Sequence, residues 1–295
     1  MNKVSAVLQF LARVSCLYEG RFLRPLWNKY PNRDGNDWDA LSIFLEGYAF
    51  ARQGAPSDFA HAGCDAIRQM KENGVTLANP DAAGKLWTTF STFLHNTNLN
   101  YANNPLCPKG TEFRRKYRGT SRMARTSRSS ALEFLVVLLP RCESTNIIAY
   151  AKRNLEQEHV RTIHQQLSNG INGIGNKIAS FFLRDVATFY HILPSKGRHL
   201  LQPIDVWVRR MSRPLMESQM SDEGIALWIV QEAAKIGVSP EAVNQGMWYF
   251  GSQVGDSEYR VSRALDDLKF AKSLVDEHID ALQSELEAWQ QASLK

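Results

Sequence analysis

Gly173-Ile174-Gly175-Asn176-Lys177 and Pro203-Ile204-Asp205 are the segments of this chain whose residue types and order could do chemistry. Two glycines around one apolar residue allow a tight turn with backbone angles closed to other residues, and a close approach of backbone to a ligand. Val160, Ile163 and Leu167 precede the turn at helical spacing, and Phe181, Phe182 and Val186 follow it, so the turn joins two helices. Amides freed at the start of the second helix, with its dipole behind them, suit a DNA phosphate. Such a grip positions a strand and carries no base specificity. Gly173, Ile174, Gly175 and Asn176 are therefore the expected DNA-binding residues of the turn.

Lys177 falls in the first turn of that second helix. Its amine could attack the sugar carbon C1′ as a base departs, forming a Schiff base. The helix N-terminus and an expected partial burial both favour the neutral, nucleophilic amine. The plainer reading is that Lys177 contacts phosphate. Asp205 follows Pro203 and opens another apolar segment, where it is expected to cap a helix. A carboxylate there could also stabilise positive charge developing on the sugar and activate the amine or a water.

The elements that must hold these residues are helical almost throughout. Val4 to Leu17 reads as an amphipathic helix. Trp38, Leu41, Leu45 and Tyr48 recur at three to four residues, as do Phe59, Gly63, Ala66 and Ile67, then Leu86, Phe90 and Phe93. Val261, Leu265, Leu268, Leu274, Ile279, Leu282, Leu286 and Trp289 carry the pattern through the tail. Leu132 to Leu139 reads as a short buried helix ending at Pro140. Asp37 is expected to cap the helix at Trp38, Ser57 or Asp58 the next, and Ser239-Pro240 to open a late one. His95 through Pro108 is the longest irregular stretch. The expected class is all-α, with all 295 residues in one compact, two-lobed unit.

A net charge of +5 and a pI near 9.0 permit a polyanionic partner without requiring one. The charge is uneven: Lys109 to Arg128 holds eight basic residues against Glu112 alone. Such a run is commonly a solvated face. Beside a DNA-gripping turn it also suits phosphate contact, with Arg114, Arg115 and Arg118 as candidates. A flipped base must be held between flat or apolar side chains, for which Trp207, Trp248 and Phe182 stand first and Tyr249 and Phe250 next. Aromatic residues at helical spacing are also the usual stuff of cores. Cys16, Cys64, Cys107 and Cys142 show neither a paired motif nor zinc spacing, so no metal is expected and the thiols read as reduced. No apolar run approaches bilayer length, so the expectation is a cytoplasmic protein with no membrane partner.

The two motifs together resemble the helix-hairpin-helix DNA glycosylases with the glycine-proline-aspartate motif, over roughly residues 155 to 212. The resemblance implies a DNA base-excision enzyme. Lys177 falls where bifunctional members carry their nucleophilic lysine, Asp205 matches the catalytic aspartate, and Arg210 matches the arginine that closes the motif. Tyr48 to Gly54, before the helix start at Pro56 to Phe59, is similar to the archaeal 8-oxoguanine glycosylases. Asn244 to Phe250 would then lie among the late helices around the base pocket. The implied partner is double-stranded DNA bearing a modified base, an oxidised purine first, and the implied state is a monomer.

Three departures stand out. The spacer from Lys177 to Asp205 is long, with Leu193 to Arg198 as an added loop, as in the archaeal branch. Trp207 stands where many members have histidine. No cysteine follows Cys142, which excludes the C-terminal iron–sulfur cluster of other branches, so no cofactor is expected. A monofunctional glycosylase, an enzyme for hypermodified phage bases acting in antiviral defence, and a non-catalytic DNA-binding module remain as alternatives.

Overall fold

The structure, a computed structural model, describes residues 2–50, 58–94, 104–108, 128–142 and 145–293. Among them the fold is all-α: helices throughout, no strand, and one isolated parallel bridge between Ser129 and Ile171. The contacts divide the chain into two compact units. Residues 23–201 form one body, and residues 1–22 with 202–295 form the other.

The body of residues 23–201 contains α2 (Arg24–Lys29), α3 (Asp37–Phe44), α4 (Asp58–Glu72), α5 (Ala82–Phe93), α6 (Ala131–Cys142), α7 (Ile147–Glu156), α8 (Val160–Gly170) and α9 (Asn176–Phe189). A π-helical turn, Leu45–Ala49, continues α3. Asn36 rather than Asp37 caps α3: its extended backbone lets the side chain accept from the amides of Trp38 and Asp39. Asp37, one residue inside, instead accepts from the Thr145 hydroxyl. The α6 helix runs on to Cys142 rather than stopping at Pro140, because proline in a last turn removes a single hydrogen bond without forbidding the turn. Asp58 begins α4, and Ser57 lies outside the described residues.

In this body α9 sits against α7, α8 and the π turn. Its inner face carries Arg184 and Asp185, both about 1% exposed. The Arg184 Nε donates to Asp185 Oδ1 at 2.9 Å, and the Tyr48 hydroxyl donates to Asp185 Oδ2 at 3.1 Å. Trp27 Nε1 in turn donates to that hydroxyl at 3.0 Å. A paired and hydrogen-bonded charge is the one form in which burial at this depth is tolerated. The network fixes the rotation of α9, and so the direction in which its first turn faces.

The second body is assembled from α1 (Lys3–Tyr18), α10 (Val206–Ser212), α11 (Asp222–Lys235), α12 (Pro240–Tyr249), α13 (Glu258–Asp266) and α14 (Leu268–Ser293). Ser239 caps α12 with Pro240 at its first position. The packing of α1 on α12 is its principal contact. Gly246 makes it possible: a β-carbon there would lie 1.8 Å from the carbonyl oxygen of Leu11. Apolar residues of α14 are buried near its start, at Ala271 and Leu274, whereas Leu286 is exposed.

Candidate functional site

The hairpin takes the expected form. The α8 helix ends at Gly170, Gly173 adopts φ 74°, and Gly175 precedes α9 with an extended backbone. Only glycine enters the left-handed region freely, which is why a glycine stands at 173. Ile171 and Ile174 are fully buried, anchoring the turn from below. With Gly175 as its N-cap, α9 has no side-chain cap, and no acid lies in its first turn. Its first amides are thus left for a ligand or solvent.

Lys177 is exposed, where partial burial was expected. The side chain leaves the body because Ile178 and Ala179 take the inward positions of this turn. It has no hydrogen bond or ion pair among the described residues. Asn176 is exposed beside it, and Gly173 and Gly175 are half-exposed.

Several residues that sequence reasoning missed hold the hairpin in place. Asn172 is fully buried and donates from its side chain to the Cys107 carbonyl at 2.9 Å. Ser129 donates to the Gly170 carbonyl at 2.8 Å and accepts from the Asn172 amide at 2.9 Å. Arg128, the last member of the basic run, donates to the Ile174 carbonyl at 3.1 Å, a structural tie. His164 on α8, 5% exposed, has Nε2 at 3.0 Å from the Ser180 hydroxyl and 3.3 Å from the Asn176 carbonyl. Burial holds this imidazole below its ordinary pKa, and the nearby His199 and Arg161 act in the same direction. A histidine on the apolar stripe of α8 was the only sequence signal for this brace.

Asp205 belongs to the other body, where it caps α10 as expected: its Oδ1 accepts from the Val208 amide at 2.8 Å. The second carboxylate oxygen has no partner among the described residues, and the side chain is half-exposed. The approach to Asp205 is set from α12, where Asn244 donates to the Pro203 carbonyl at 3.2 Å. The Arg210 guanidinium lies 5.1 Å from the Trp207 ring centroid, and Arg209 makes a bidentate pair with Asp222.

The aromatic candidates separate by packing. Phe182 has no exposed surface and is held edge-to-face by Phe44 and Tyr48, so it is core and not a platform for a base. Tyr249 and Phe250 are likewise buried, Tyr249 hydrogen-bonded to His278 at 2.9 Å and Phe250 against Phe10. Trp207 and Trp248 are half-exposed, and Trp248 meets Tyr18 and Phe22 edge-on. Arg114, Arg115 and Arg118 lie outside the described residues, as does the stretch from Ala51 to Gly54.

Among the described residues no group of acidic, histidine or cysteine side chains is placed to hold a metal ion. None of their helices is long and apolar enough to cross a membrane. No family model matches the chain, and no curated protein or solved structure is significantly similar to it.

Proposed function

We propose that the protein is a DNA glycosylase with an associated abasic-site lyase activity. The observation that carries this reading is Lys177: exposed and, among the described residues, unpartnered in the first turn of α9, beside amides that no side chain caps. The hairpin would hold the backbone of a duplex while the Lys177 amine forms a bond to C1′ and the C1′–base bond breaks, the base leaving with a proton. Asp205 would stabilise the positive charge that develops on the sugar. Its use as a helix cap does not compete, because capping engages one oxygen and leaves the other. An oxidised purine such as 8-oxoguanine is the first substrate to try. Bulky hypermodified bases of phage DNA belong in the same panel, since the base pocket lies outside both motifs.

A second reading, a monofunctional glycosylase, draws on the same exposure, which suits Lys177 to phosphate contact. Incubation with duplexes carrying different lesions, followed by borohydride reduction, separates the two. A covalent adduct lost in Lys177→Gln supports the first reading, and base release without an adduct supports the second. Neither outcome over a broad panel would leave a non-catalytic DNA-binding module and overturn the proposal.

A further inference from the structure

The spacer between α9 and Pro203 reads in the sequence as an added loop, yet it is braced at each step. The α9 helix closes with His191 at φ 55°, the His191 amide donating to Thr188 and the Ile192 amide to Ala187. Glu158, itself at φ 61° just past α7, accepts from the Ser195 amide at 2.9 Å and the Lys196 amide at 3.0 Å. Those two amides, Ser195 first, hold its carboxyl below the usual carboxylate range. Gly197 lies directly against Val160, and the 3-10 turn Arg198–Leu201 packs on α8 and α9. The loop is thus fixed alongside both helices of the hairpin.

Its charge has one sign. Tyr190 to Leu201 contains Lys196, Arg198 and two histidines, and no acid. His199 and Arg161 both lie near enough to His164 to disfavour its charged form, which puts loop and α8 cations in one neighbourhood. Lys196, Arg161 and Lys177 are exposed. Glu158, the acid beside Lys196, is engaged by backbone amides. Both hairpin helices also begin against the usual rule: α8 and α9 lack a side-chain cap and a first-turn acid, and each carries a cation there, Arg161 and Lys177. A cation at the positive end of a helix dipole is unfavourable unless an anion meets it.

We propose that the spacer is a second DNA-backbone clamp, in which Lys196 and Arg161 take phosphates next to those gripped by Gly173 to Lys177. It rests on the DNA-binding half of the proposed function and is independent of base excision. The test is binding of an undamaged duplex over a range of KCl concentrations, with the full chain. Lys196→Gln with Arg161→Gln should weaken binding at low salt and flatten the log–log salt slope by about 0.9 for each phosphate that is no longer neutralised. Both side chains are exposed, so the thermal midpoint should stay at the parental value, and Lys272→Gln on α14 should leave the slope unchanged. A parental slope and affinity in the double variant would overturn the clamp, even if base excision is intact. A flattened slope in a chain that releases no base would keep the clamp and overturn the excision reading, and absence of duplex binding overturns both.

Discussion

The side chain of Asn172 donates to the backbone carbonyl of Cys107, tying the glycine turn to a segment 65 residues earlier. A fully buried amide with this reach is a strut for the hairpin. Asn172→Leu removes this donor to the buried Cys107 carbonyl. The expected loss is about 1–3 kcal/mol in urea unfolding, and an unchanged midpoint would show that the Asn172–Cys107 bond does not stabilise the fold.

Asp205 offers a substitution that separates capping from chemistry. Asparagine caps a helix about as well as aspartate, so Asp205→Asn should leave the unfolding midpoint where it is. On the proposed function, base release should nonetheless slow by about 100-fold or more, because the charge assigned to oppose the developing cation would be gone. Asp205→Ala should add a stability loss of about 1 kcal/mol from the missing cap. Full base release in the asparagine variant would remove Asp205 from the chemistry.

At the crossing of α1 and α12 there is no room for a methyl group. In Gly246→Ala the new carbon meets the Leu11 backbone, which cannot rotate away as a side chain could. The two helices must separate, and a loss of about 3 kcal/mol is expected, the upper end for overpacking. Denaturant unfolding measures it directly, and a neutral substitution would mean that the helices do not approach this closely.

Acid should loosen the hairpin through His164. Its imidazole is held below the ordinary value of about 6.5 chiefly by burial, against the opposing hydrogen bond to the Asn176 carbonyl and with smaller help from His199 and Arg161. The unfolded chain therefore takes up this proton more readily than the folded one. Stability from this group is complete above about pH 6.5 and falls as the pH drops below it. Thermal midpoints between pH 7.5 and 5 should decline less steeply in His164→Gln than in the parent, and parallel slopes would acquit His164.

Much of the scaffold was legible because helical periodicity is local. The α1 and α12 helices, the caps at Ser239 and Asp205, and the glycine turn all follow from residues within one or two turns of each other. What was missed depends on distant partners. Asn36 and Asp37 are both good caps, and the choice falls to Asn36, whose extended backbone precedes the helix while Thr145 engages Asp37. Phe182 reads equally as platform or core until Phe44 and Tyr48 close around it. Asn172 looks like an ordinary turn residue until Cys107 and Ser129 are beside it. Glu158 gives no sign of its hold on Ser195, which lies 37 residues on.

The body that holds Asp205 is built from the two ends of the chain, and this has a consequence for its birth. The α1 helix, with Val7, Leu8 and Leu11, is synthesised before residues 23–201, while α12, which packs on it, is synthesised after them. Residues 23–201 are contiguous and can complete their own core in the interval. During that time the apolar face of α1 is without the α12 face that packs on it in the folded chain. The ribosome finishes the body bearing Lys177 before it can begin to close the one bearing Asp205.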